Sequence, residues 1–176
     1  MSDKIKTFPG GLYFITMTVV GWVDVFTRRE NSSIIIESLE YSQKHKGLEI
    51  YGYVIMTNHL HMIVSRKEGI IGDWVRDFKT YTSKRLTELI LNNPLESRKD
   101  WMEMVFKYHA KLINRQTGFS FWHDGYFPVE LHSNYLIDQK LEYIHNNPVR
   151  AGYVLNQEDW RLSSACVESP VKVLTI

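Results

Sequence analysis

The sequence predicts an α+β protein, with an antiparallel sheet and helices packed on one face. Two observations carry that expectation. Segments 13–20, 48–56 and 59–65 are short and rich in β-branched and aromatic residues, as strands are. Between and after them run longer segments whose apolar residues recur at helical spacing.

Each element has its own signal. Residues 13–20 (YFITMTVV) read as the first strand. Asn31-Ser32-Ser33 has the composition of a helix N-cap, so a helix should run from there through Ile34, Ile35 and Leu39 to the polar end His45-Lys46-Gly47. Residues 48–56 form a second strand, Thr57-Asn58 a tight connection, and 59–65 a third strand. A helix over 73–92 carries Trp74, Val75, Phe78, Tyr81, Leu86, Leu89 and Ile90 on one face and Arg76, Lys79, Thr80, Ser83 and Thr87 on the other, and Asn92-Asn93-Pro94 ends it. Residues 101–115 are expected to be helical. Asp124-Gly125 is a turn signal between aromatic runs and predicts a hairpin or strand pair within 118–131. Residues 136–147 read as a helix stopped by Pro148, because the residue before proline disfavours the α region. The tail, 153–176, shows no assignable period. The order β-α-β-β-α-…-β-α fits a ferredoxin-like sheet with the 59–65 strand central.

Composition narrows the function classes. A chain of 176 residues, 44% hydrophobic and 23% charged, suits one packed domain spanning 1–176. The single cysteine, Cys166, excludes an internal disulfide and a cysteine-rich zinc site. No apolar run approaches membrane-spanning length, and Met1-Ser2-Asp3-Lys4-Ile5-Lys6 has no apolar signal core behind it, so a cytoplasmic location without membrane association is the expectation. Net charge is only +1, but residues 66–115 hold 11 basic and 7 acidic side chains against 6 and 6 before them and 4 and 7 after. That bias fits either a solvated helix face or a polyanion-binding one.

The chemistry concentrates in two segments. In His59-Leu60-His61, period-two alternation turns both imidazoles to one face and Leu60, Met62 and Val64 to the other. Their Cα atoms would stand about 7 Å apart, close enough for both rings to converge on one divalent ion. The second segment is Tyr143-Ile144-His145-Asn146-Asn147-Pro148-Val149-Arg150-Ala151-Gly152. Tyr143 and Asn147 are four apart and share a helix face. If that face meets the histidines, a phenol oxygen and a carboxamide oxygen approach the metal. A neutral oxygen ligand suits Mg²⁺ or Mn²⁺, and two histidines favour Mn²⁺. Tyrosine becomes a plausible nucleophile when a metal polarises the phosphate it attacks. The phosphotyrosine ester conserves the energy of the broken diester, which suits cleavage and transfer better than hydrolysis.

These residues carry a family resemblance. His59-Leu60-His61 resembles the histidine–hydrophobe–histidine (HUH) motif of single-tyrosine transposases, and residues 143–152 resemble the nucleophile segment of the REP-associated tyrosine transposases. Met56-Thr57-Asn58 before the histidines, Phe78-Lys79-Thr80-Tyr81-Thr82-Ser83, Phe121-Trp122-His123-Asp124-Gly125-Tyr126 and Trp160-Arg161-Leu162-Ser163-Ser164 look like the same family, over roughly 13–165. The resemblance implies a metal-dependent endonuclease and strand transferase acting on single-stranded or hairpin DNA, as a monomer or homodimer. It implies Tyr143 as nucleophile and His59, His61 and Asn147 as ligands to Mg²⁺ or Mn²⁺. Thr57 departs from the family, which often has proline there, and 96–118 is longer than in compact members. A domesticated protein that binds DNA hairpins without cutting them is the alternative.

Other residues have two readings each. Arg76, Lys79 and Ser83 either solvate their helix or contact DNA phosphates. Arg150 either caps its helix or holds a phosphate. His145 either supports structure or contacts DNA. His45, His109, His123 and His132 lack partner spacing. A zinc hydrolase would need a catalytic glutamate at helical histidine spacing, and none is present.

Overall fold

The sheet follows from the alternation in its strands. β1 (Tyr13–Thr18), β2 (Leu48–Ile55), β3 (His59–Arg66) and β4 (Val129–Glu130) lie in the order β2-β3-β1-β4, with antiparallel neighbours throughout. This is the ferredoxin-like order, in a computed structural model that describes residues 7–175. The first six residues, on which the expectation of no signal core rests, lie outside them. α1 (Arg29–His45) crosses from β1 to β2, and β3 lies between those strands. α2 (Ile71–Asn92), α3 (Lys99–Leu112) and α4 (Asn134–Arg150) complete the helices. No helix among the described residues is long and apolar enough to cross a membrane.

Alternation divides the core into two layers. Tyr13, Ile15 and Met17 of β1 and Leu60, Met62 and Val64 of β3 face α1 and α2, where Ile35, Leu39, Trp74, Phe78 and Leu86 complete the main core. Each such side chain contributes about 1.5–3 kcal/mol when fully buried. Phe14, Val54 and Ile63 point the other way and pack against Ile137 and Ile144 of α4. Helices on one face therefore describes α1 and α2; α4 takes the opposite, histidine-bearing face, because its own apolar stripe matches that second layer. β2 keeps its inward set through a bulge: Ile50 pairs with Val64 and Gly52 with Ile63, leaving Tyr51 as the extra residue. Leu48 and Ile50 before the bulge and Tyr53 and Ile55 after it thus face the same layer. At Gly52 a Cβ would stand 2.6 Å from Leu141 of α4, so the glycine lets that helix approach.

Three local expectations are corrected. α1 begins at Arg29, not after Asn31-Ser32-Ser33. Asn31 is buried, and its side-chain amide donates to the Val25 carbonyl at 2.8 Å, a tertiary bond in place of a cap. The 118–131 segment makes no hairpin: one bridge joins Val19 to Trp122, and β4 pairs two residues with β1. The Asp124-Gly125 turn instead receives Lys79, whose ammonium donates to the His123 and Gly125 carbonyls at 3.0 and 2.9 Å. α4 continues through Pro148 to Arg150. Proline forfeits its own N–H bond there, but it lies in the last turn and its ring is buried.

The tail and the 96–118 segment both brace the sheet. Ile55 N–H donates to the Leu162 carbonyl at 2.8 Å, Ser164 N–H to Tyr53 at 2.9 Å, and Leu174 N–H to Ile50 at 2.8 Å. The Trp160 indole donates to the Ile55 carbonyl at 2.9 Å. The tail thus covers the outer edge of β2, which would otherwise expose a row of backbone groups. Ahead of α3, Glu96 has 1% side-chain exposure and accepts from Arg28 at 2.6 Å and Arg98 at 3.0 Å. Hydrogen bonds from Arg98, with support from Arg28, hold its carboxyl down at about 2 against the effect of burial. Arg98 also donates to the Asp24 carbonyl at 3.1 Å, so this segment fixes the loop that leads to α1.

Candidate active site

β3 opens directly on the histidine pair. His59 pairs with Thr18 and His61 with Thr16 of β1, and the two imidazole centroids are 4.8 Å apart. His61 is buried, lies stacked at 5.4 Å on Phe14, and has its Nδ1 2.7 Å from the Thr16 hydroxyl. Burial, reinforced by the nearby charges of His59 and Lys140, pushes its pKa down to about 3. His61 is therefore neutral at physiological pH, the form that can ligate a metal.

Asn58 fixes the other ring. Its side-chain nitrogen donates to Asp24 Oδ1 at 2.8 Å and to the Trp22 carbonyl at 3.2 Å. With the nitrogen so placed, the Asn58 oxygen is the atom 2.7 Å from His59 Nδ1. An amide oxygen only accepts, so Nδ1 carries the proton and Nε2 keeps its lone pair. Burial lowers the His59 pKa, while a hydrogen bond with Asn147 and the Asp24 carboxylate oppose that shift.

α4 supplies the facing groups. Ser133 caps it by accepting from Leu136 N–H at 3.4 Å, and Ile137 and Ile144 seat it on the sheet. One turn of helix then carries both the Tyr143 ring, 5.2 Å from the His61 ring and 6.0 Å from Phe14, and the Asn147 side chain on His59. The Lys140 ammonium lies 4.9 Å from the Phe14 ring and 5.8 Å from that of Tyr143, and the Arg150 guanidinium lies 5.6 Å from the Tyr143 ring. Two cations thus lie over the Tyr143 ring.

The donor set fits a hard or borderline divalent ion. Both imidazoles have Nδ1 engaged, so Nε2 is the nitrogen each would turn to a metal, that of His59 lying beside Asn147. Asn147 adds a neutral oxygen. Among the described residues no group of three or more His, Cys, Asp or Glu gathers, so an ion here would draw its remaining ligands from Asn147 and from substrate oxygens.

The structure brings His59, His61, Tyr143 and Asn147 together and sets Arg150 beside them. Arg76, Lys79 and Ser83 are elsewhere, on α2 against the opposite layer. Arg76 pairs with Asp73 and Asp77, Ser83 donates to the Thr80 carbonyl, and Lys79 holds the 123–125 turn. Burial there lowers the Lys79 pKa to about 8. His145 Nε2 lies 2.9 Å from the Ser164 hydroxyl and ties α4 to the tail, which is a structural role. Thr57 is buried, its hydroxyl 3.3 Å from that of Tyr153. The sequence points to neither Thr16 nor Lys140, and to Asn58 only as part of the segment before the histidines. Lys140, three before Tyr143, does have a local signal, since that spacing shares a helix face.

No family model and no curated protein matches the chain. Among solved structures, it is similar to one described as a REP-associated tyrosine transposase bound to a REP hairpin, with a TM-score of 0.57, 19% identity, and coverage of 93% of this chain and 82% of that one. It is also similar to a candidate transposase from Deinococcus radiodurans R1, with a TM-score of 0.47, 16% identity, and coverage of 83% of this chain and 97% of that one. At 19% identity the first likeness is one of fold: an antiparallel four-stranded sheet in an α+β chain.

Proposed function

We propose that the protein is a metal-dependent tyrosine transposase of the REP-associated type, a cytoplasmic single-strand DNA endonuclease and strand transferase acting beside hairpins. The observation that carries this reading is the convergence of Tyr143 and Asn147, from one turn of α4, on His61 and His59 of β3. The similar structure is described as holding a REP hairpin, which supports hairpin DNA as the partner here.

His59, His61 and Asn147 would hold Mg²⁺ or Mn²⁺, which when bound polarises a phosphate and neutralises charge on its oxygens. The Tyr143 oxygen attacks phosphorus and the bond from phosphorus to the 3′ oxygen breaks. The electron pair stays on that oxygen, which takes up the proton the phenol gives up. The products are a 5′-phosphotyrosine ester and a free 3′-hydroxyl. One diester replaces another, so the reverse step joins strands without a nucleotide cofactor. Lys140 and Arg150 stabilise the phenolate and the charge that develops at phosphorus. Thr16 and Asn58 hold the imidazoles in place.

A covalent-adduct assay tests the reading. Labelled single-stranded hairpin oligonucleotides from the gene's flanks are incubated with Mg²⁺, Mn²⁺ or EDTA and run on a denaturing gel. Wild type should give a metal-dependent shifted band. Tyr143→Phe should give none and still bind, and His59→Ala should lose metal-dependent cleavage. An adduct in Tyr143→Phe sinks the nucleophile assignment. Tight binding with no adduct in wild type supports a non-cleaving hairpin-binding protein instead.

A further inference from the structure

Trp22 stands where glycine or asparagine would sit more easily. It is 63% exposed, and its φ of +54° lies in the left-handed region that suits glycine or asparagine and disfavours a bulky side chain. Buried Val20 and Val23 on either side force the chain to turn outward between them. Gly21 makes that turn with φ +64°, and a Cβ there would stand 2.8 Å from Val105 of α3, so the turn is backed by a helix. The Trp22 carbonyl accepts from Asn58, the residue that orients His59, and the indole meets the His59 ring edge-on at 5.9 Å. The chain thus holds a large aromatic surface beside the histidine site, in a strained conformation, without burying it.

We infer that Trp22 is a stacking platform for an unpaired base of single-stranded DNA entering the histidine site, an assignment that rests on the transposase reading above. Every base offers a π-face, so one exposed indole engages a strand whatever its sequence. On α3, His109 adjoins Gly21, and the exposed Tyr108 ring lies edge-on to it at 5.7 Å. Core packing does not account for Trp22, because most of its ring is in solvent. Backbone geometry does not account for it either, because tryptophan is a poor choice for that φ.

The test is fluorescence anisotropy in a Tyr143→Phe background, with two labelled probes at low salt: an oligothymidylate of about a dozen nucleotides, within known single-strand site sizes, and a blunt duplex of equal length. Trp22→Ala should weaken oligothymidylate binding roughly tenfold and leave the duplex unchanged. Trp22→Tyr should keep most of the affinity. Trp22→Gly should lose as much affinity as Trp22→Ala while its melting temperature holds or rises, because glycine relieves the left-handed strain. A merely structural residue would not separate those two readouts. Unchanged oligothymidylate binding in Trp22→Ala, or equal loss on both probes, overturns the assignment. If the adduct forms in wild type while Trp22→Ala binds normally, this inference alone fails. If Trp22→Ala loses oligothymidylate and no adduct ever forms, stacking stands and the transposase reading fails.

Discussion

His59 is oriented by its own chain neighbour. The Asn58 nitrogen donates to Asp24 and the Trp22 carbonyl, which leaves its oxygen to accept the hydrogen bond from His59 Nδ1–H. Asn58→Ala should therefore weaken Mn²⁺ binding by about 10–100-fold, the usual cost of losing such a partner. Isothermal titration with Mn²⁺ checks this, and affinity equal to wild type would remove the orienting role. The histidine pair and the Tyr143–Asn147 pair were legible in the sequence because each depends on the period of a single element. Thr16, Asn58 and Lys140 were not, because their roles depend on the β1–β3 register, on the 22–24 loop that meets Asn58 and on how α4 docks. Lys79 shows the converse. Its place on a polar helix face was readable, but the turn that captures its ammonium lies more than forty residues away in sequence.

At the scale of elements, strands and helices were mostly legible and their ends were not. Period and composition place β1, β2, β3 and α2 within a few residues. The misread boundaries share a cause: a local preference was overridden by a tertiary contact. Asn31 bonds the Val25 carbonyl instead of capping, and Pro148 is retained in α4 because its ring is buried. The tail had no readable period because it is held by separate bonds to β2 and not by a ladder of its own. Those bonds shield an edge strand, and such edges template association. A chain ending at Asp159 should form larger species than the full chain in size-exclusion chromatography with light scattering. Identical elution and mass for both would show that the tail does not protect that edge.

The molecule as a whole should carry an acid-sensitive brace. Glu96 is held at about 2 in the fold against an ordinary 4.5. A depressed carboxyl contributes its full stability above its unfolded value, and that contribution declines as pH falls through the interval from 4.5 towards 2. With 1% of its side chain exposed, the contribution is on the order of 3 kcal/mol. Glu96→Gln should lose a comparable amount at neutral pH and show a flatter decline below pH 4.5. Urea denaturation at pH 7 and pH 3 measures both. Parallel pH dependence in the two proteins would place the acid sensitivity elsewhere. The cluster joins α3's leading segment, through Arg98 and Asp24, to the loop that steadies Asn58. The long 96–118 stretch therefore braces the site from outside the sheet.

The bulge at Tyr51 has a consequence for how such a chain can change over time. Because one extra residue inverts the parity of β2, Leu48 and Ile50 reach the main core only as long as that residue remains. Losing it would turn the first half of the strand inside out while leaving the second half intact. Single-residue gaps are thus forbidden across 48–55, whereas the exposed turn around Gly118 can lengthen or shorten freely. For any distant sequence aligned to this one, the count of residues between Gly47 and the histidine pair is a stricter guide to correct register than their identity.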